Sequence, residues 1–80
     1  MQYILVLQWP ASSRADYDAL IEMEDQLHGA VGSDGTVDGH DFGSGEMNIF
    51  VFTDEPVETF AAAQAELGRD SRWSEVQAAY

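Results

Sequence analysis

Residues 43–56 of this chain read Gly-Ser-Gly-Glu-Met-Asn-Ile-Phe-Val-Phe-Thr-Asp-Glu-Pro. Three structural signals follow one another there without a gap. Gly43-Ser44-Gly45 supplies the backbone freedom of a tight hairpin turn. Residues 46–53 are rich in the aliphatic and aromatic side chains that fit a pleated surface. Asp54, Glu55 and Pro56 then make a helix start, with acids at the cap and a proline in the first turn, where a missing N–H costs nothing. The stretch predicts a central strand held between a hairpin and a helix. It carries no catalytic or binding motif, so it organises the fold and leaves the chemistry open.

The rest of the chain arranges itself around that strand. Residues 2–9, QYILVLQW, form a short apolar run with almost no polar break, the pattern of a strand covered on both faces. Pro10 ends it. Ser12 and Ser13 are N-cap candidates, and Ser13 with Asp16 makes a loose capping box. A helix follows to about His28, with Tyr17, Leu20, Ile21 and Leu27 at helical spacing and Met23 beside them. Gly29 is its expected stop, and residues 30–35 are expected to loop. Residues 36–42, TVDGHDF, read as a weaker strand whose acids and glycine suit an edge. After the central strand, Val57, Phe60, Ala61, Gln64 and Leu67 mark the inner stripe of a second helix, which Gly68 stops. Residues 73–80, WSEVQAAY, alternate as a last strand with Val76, Ala78 and Tyr80 on one face. The chain shows no internal repeat.

The order is β-α-β-β-α-β over one domain, residues 1–80. It resembles the ferredoxin-like plait, an α+β fold. That resemblance implies a four-stranded antiparallel sheet of order 4-1-3-2 with both helices on one face. The residues fit it, because the two most apolar strands fall at the centre and the two weaker ones at the edges. A fold of this kind carries no function with it. It does bring the first strand–helix loop, the hairpin and the segment before the last strand to one end. Trp9 and Trp73 are expected to adjoin there. Arg14, Arg69 and Arg72, the three cations of the chain, fall at the same end with His40. Trp9, Arg14, His40, Arg69, Arg72 and Trp73 are thus the candidate binding residues. The plainer reading is that the arginines neutralise helix ends and acids while the tryptophans cap the core.

Charge narrows the partners. Fifteen acids against three arginines give a net charge of −12. Such a field repels phosphate backbones and anionic membranes, so neither nucleic acid nor membrane is an expected partner. Basic proteins are attracted. An apolar run of only a few residues at the start, without a basic leader, reads as a strand and not as a secretory signal. No run approaches the roughly 20 apolar residues of a membrane span. The absence of cysteine excludes disulfides and thiolate sites and suits a cytoplasmic location. A domain of this size buries only about 60 % of its unfolded surface and gains from self-association.

No motif selects a chemistry. Asp34, Thr36, Asp38 and Gly39 fill four places of a calcium-loop pattern, but its terminal acid should stand at 45, where the chain has Gly45. A strand follows where a helix is needed. His40 lies between acids, and alternation would set Asp38 and His40 on one face, as an exposed edge histidine; no metal-ligand spacing accompanies it. His28 suits a helix C-terminus. Glu24 falls within the apolar stripe of the first helix, where a carboxylate either snorkels at the margin or has a partner such as an arginine. Gly-Ser-Gly sits between two strands, unlike a nucleophile elbow. No catalytic residue, metal ligand or cofactor is therefore expected.

Both faces of the inner strands are apolar, yet two helices cover only one. An RNA-recognition domain shares this order of elements and stacks bases on strand aromatics, but here Glu46 and the net charge oppose RNA. The surplus face is better suited to self-association or to the wall of a pocket. Ile49, Phe50 and Phe52 are the candidates for such a sheet-face interface. The expected function is a non-enzymatic binding or regulatory module acting on itself as a homodimer or on a basic protein partner. The alternative is a small dimeric enzyme or ligand-binding protein with an apolar pocket between sheet and helices, using His40 or Glu24 as its polar group.

Overall fold

The computed structural model describes residues 2–31 and 35–80. Their elements are β1 (Tyr3–Pro10), α1 (Arg14–Val31), β2 (Gly35–Gly43), β3 (Glu46–Thr53), α2 (Pro56–Leu67), a 3₁₀ segment (Ser71–Glu75) and β4 (Gln77–Ala79). The chain is α+β. Its four strands form one antiparallel sheet in the order β2-β3-β1-β4, so the two apolar strands are indeed central.

Register follows from pattern. β1 and β3 pair from Tyr3↔Thr53 to Pro10↔Glu46, which sets Leu5, Leu7 and Trp9 beside Val51, Ile49 and Met47. These six are buried, and they share one core with Leu20, Met23, Leu27 and Val31 of α1 and Ala63 and Leu67 of α2. Both helices thus pack on the same side of the sheet. The hairpin turns on Ser44 (φ 57°) and Gly45 (φ 82°). Two left-handed residues in succession match the strand twist, and the serine carries the steric cost that a glycine avoids.

The capping box forms as expected. Asp16 N–H donates to Ser13 Oγ (3.2 Å), while the Asp16 carboxylate accepts from the N–H groups of Ser12 (2.9 Å) and Ser13 (3.2 Å). The stop at Gly29 does not. The helix continues to Val31, which buries its side chain in the core. Burying a valine contributes about 1.5–3 kcal/mol, more than the roughly 1 kcal/mol a helical glycine costs. Residues 32–34 of the expected loop lie outside the described residues. Tyr17 and Ile21 prove to be exposed margins of the stripe.

Two further expectations are corrected. Of the predicted stripe of α2, Leu67 is buried and Phe60 packs partly buried on the core, but Val57 (62 % exposed), Ala61 and Gln64 face outward, and Pro56, Thr59 and Ala63 complete the buried face. Thr59 can face the core because its hydroxyl meets that of Thr53 at 2.8 Å, which removes the penalty of a buried polar group. The last strand shrinks to three residues. Trp73 instead lies in the 3₁₀ segment, whose start is capped by Asp70 accepting from Arg72 N–H at 2.8 Å. Local turn chemistry and the burial of an indole outweigh strand alternation there.

Candidate functional site

The three connections predicted to meet do so. Ala11 N–H donates to Gly45 C=O (3.0 Å), joining the loop after β1 to the hairpin. The Arg72 guanidinium donates to Asp16 (3.3 Å) and lies 3.9 Å from Asp70. Trp73 sits 6.2 Å from Trp9 and stacks on Phe60 at 5.5 Å and 30° between planes. Trp9 itself is buried, with its indole N–H lacking an acceptor among the described residues. The indoles therefore close the end of the core, and Arg72 ties the segment before β4 to the start of α1. Arg14 and Arg69 are exposed. The Asp16 carboxyl is held below its ordinary value of 3.8, chiefly by the Ser12 and Ser13 N–H groups, with the Ser13 hydroxyl and Arg72 adding to the effect.

His40 does not join this group. It lies on β2, the edge strand opposite β4. Val37 pairs with Val51 but Gly39 pairs with Phe50, so Asp38 is an extra residue in a β-bulge. His40 comes opposite Ile49, a residue of the helix-covered face, while Asp38 is exposed. The expected sharing of a face by Asp38 and His40 is thus overturned by the bulge. The imidazole Nδ1 lies 3.0 Å from Glu24 Oε1 on α1, and Tyr17 sets its ring edge-on to both His40 (6.2 Å) and Phe42 (5.3 Å). Glu24 finds its partner in histidine, not arginine. The sequence held one signal for this, a glycine inside a strand pattern, which often marks a bulge.

Among the described residues, no helix packs on the other side of the sheet. That side presents Ile4, Val6 and Gln8 of β1 opposite Phe52, Phe50 and Asn48 of β3. Ile4 is 49 % exposed, and Val6, Phe50 and Phe52 are half-buried. Ile49, expected among the interface residues, points the other way and is fully buried, because neighbours along a strand face opposite sides. Gln8 Nε2 donates to Asn48 Oδ1 (3.0 Å), one bond between the two amides.

Charge is uneven around this surface, which includes Asp41 opposite Asn48 and Glu46 opposite Pro10. β1 and β4 contain no ionisable residue other than Tyr3, and β3 has only Glu46, at the hairpin end. Asp38 and Asp41 lie on the outer strand β2. The two helices carry Asp16, Asp18, Glu22, Glu24, Asp25, Glu58 and Glu66 against Arg14 alone. Three shallow clefts run along the β1–β4 margin and the hairpin. The one of about 200 Å³ is lined by Gln8, Pro10, Glu46, Glu75 and Gln77 among others, and a neighbour of about 280 Å³ includes Asp16 and Glu75. None of the three is lined by Glu24 or His40.

Asp34, the first position of the calcium-loop pattern, lies outside the described residues, and residues 36–43 run as strand. Among the described residues no group of three or more His, Asp and Glu side chains is placed to hold a metal ion. Nor, among them, is any helix long and apolar enough to cross a membrane. No family model matches the chain, and no curated protein or solved structure matches it.

Proposed function

We propose that this protein is a small binding module that acts through protein–protein contacts, not by catalysis, and that the open face of its sheet is the contact surface. The observation that carries the reading is the set Ile4, Val6, Phe50 and Phe52 on the face without helices. A contiguous apolar surface of this kind on a small domain marks an interaction site. We also read the architecture as a ferredoxin-like plait, on the strand order and on the packing of both helices into one core. The acid surplus serves solubility and steers encounter with basic surfaces.

The Glu24–His40 pair favours the alternative of a small enzyme, since a carboxylate on an imidazole is an acid–base arrangement. Its position apart from the three clefts weighs against that role.

The test is side-chain footprinting of the full chain in dilute buffer and in concentrated cell extract. Phe50 and Phe52 should become protected in extract while Val57 and Tyr17, on the helical side, stay reactive. Protection confined to the helical side would overturn the reading.

A further inference from the structure

We propose that the open sheet face docks a basic amphipathic helix of a partner protein, with the apolar side of that helix on Ile4, Val6, Phe50 and Phe52 and its cations among Asp41, Glu46 and Glu75. The inference rests on the reading of that face as the contact surface and goes on to name its occupant.

The charge on the face has one sign. Asp41 stands opposite Asn48, and Glu46 opposite Pro10. Asp41 and Glu46 are therefore diagonal neighbours across β2 and β3, about 7–8 Å apart. Asp38, the extra residue of the bulge, is exposed beside Gly39. The four strands contain no lysine or arginine. Arg14 lies in α1, Arg69 follows α2, and Arg72 is engaged with Asp16. Among the described residues, no hydrogen bond or ion pair engages the carboxylates of Asp38, Asp41 or Glu46. A cation brought by a partner gains their attraction and relieves their mutual repulsion. An apolar set rimmed by acids is complementary to an apolar set rimmed by bases.

The shape suits one helix. The apolar set is two cross-strand pairs, Ile4–Phe52 and Val6–Phe50, on the two central strands. Strands about 4.8 Å apart make a stripe roughly 10 Å wide, the width of an α-helix. The pairs lie two residues apart along the strands, about 6.6 Å, close to the helical pitch of about 5.4 Å. Apolar residues one turn apart on a docked helix thus meet one pair each. The β2 acids flank one long side of the stripe, and Glu46 marks its hairpin end.

At that end the cleft of about 200 Å³ is lined by Gln8, Glu46, Glu75 and Gln77 among others, with no cation in its wall. Gln8 donates to Asn48 through Nε2, and among the described residues its Oε1 accepts no hydrogen bond. Two carboxylates and an amide oxygen around one space are acceptors, and a guanidinium, which only donates, matches them. The helical side is the rival. It holds more acids, but its exposed apolar side chains are Tyr17 and Ile21 on α1 and Val57 alone on α2, and Tyr17 is taken up by ring contacts with His40 and Phe42.

Amide NMR of the pure full chain tests this, titrated with three synthetic helical peptides of equal length. The first has leucines along one side and arginines on its flank; the second replaces the arginines by glutamine, the third the leucines by serine. We expect the first to shift Val6, Glu46, Phe50 and Gln77, with binding that weakens as salt is added. The other two should bind at least about fivefold more weakly, the scale of losing one contributing contact. Glu46→Gln should weaken the first peptide about two- to fivefold, while Glu66→Gln on α2 leaves it unchanged. A serine peptide that binds as tightly as the first reduces the effect to net charge and overturns the inference. A glutamine peptide that binds the face as tightly, or face amides that shift with the chain's own concentration and not with peptide, give the face another occupant; either overturns the inference and leaves the contact-surface reading. No shift with any peptide at millimolar concentration overturns the inference. Shifts confined to α1 and α2 overturn inference and reading together.

Discussion

Thr53 is the side chain on which the passage from sheet to second helix depends. It is buried at the end of β3, its Oγ1 accepts from Glu55 N–H at 2.9 Å, and it lies 2.8 Å from Thr59 Oγ1 in α2. Thr53→Val keeps the shape and removes these two bonds among its contacts. Glu55 N–H is only part-buried and is partly recovered by water, so its loss costs about 0.5–1 kcal/mol, whereas the orphaned Thr59 hydroxyl in the core costs about 1–3. The sum is about 1.5–4 kcal/mol. Thr59→Val leaves the Glu55 bond in place and costs about 1 kcal/mol. The double valine variant orphans no hydroxyl at 59, so it should cost about 1–3 kcal/mol less than the two singles added together. A domain of this length holds roughly 4–12 kcal/mol in all. Thr53→Val should therefore lower Tm by about 6–30 °C. Urea titration followed by tryptophan fluorescence measures this directly, since Trp9 is buried beside Trp73. Equal costs for the two single variants, or strict additivity in the double, would refute the assignment of the Thr53 hydroxyl to two jobs.

Other expectations follow from the same coordinates. Asp16→Asn keeps an acceptor oxygen but not the charge that the Ser12 and Ser13 N–H groups favour. Because the folded carboxyl titrates below 3.8, its stabilising contribution is full above that value and lost as pH falls through the lower folded pKa. The stability gap between wild type and variant should thus be full near neutrality and close on acidification in pH-resolved denaturation; a gap that widens in acid contradicts it. A double-mutant cycle with Glu24→Gln and His40→Asn should give a coupling of about 0.3–1 kcal/mol, as for a partly exposed ion pair, and zero coupling would mean that the 3.0 Å contact adds nothing to stability. Deleting Asp38 removes the extra residue of the bulge and leaves the pairing on both sides intact. The shortened chain should fold within about 1 kcal/mol of wild type and retain the Glu24–His40 contact, checked by urea midpoint and by histidine NMR shifts.

Much of the fold was legible along the chain. Residues 43–56 specified a turn, a strand and a helix start, and all three stand where they were expected, with β3 at Glu46–Thr53 and α2 opening on Pro56. The Ser13–Asp16 box and the central places of the two apolar strands were legible for the same reason. Each depends on contacts within a few residues or on a period that repeats along one element. The misplaced features depend on partners far away in sequence. Thr59 turns inward because Thr53 meets it, the first helix passes Gly29 because Val31 finds the core, and Trp73 leaves the strand for Phe60 and Trp9.

The candidate surface divides in the same way. Alternation alone showed that both faces of β1 and β3 are apolar and that two helices cover one. It did not show which. Only the packed structure turned Ile49 inward with Met47 and Val51, left Ile4, Val6, Phe50 and Phe52 on the open face, and used the bulge at Asp38 to aim His40 at Glu24. A strand pattern fixes which residues share a side. Which side meets the helices is decided by fitting all the elements into one core at once, through burial that no local stretch can sum for itself.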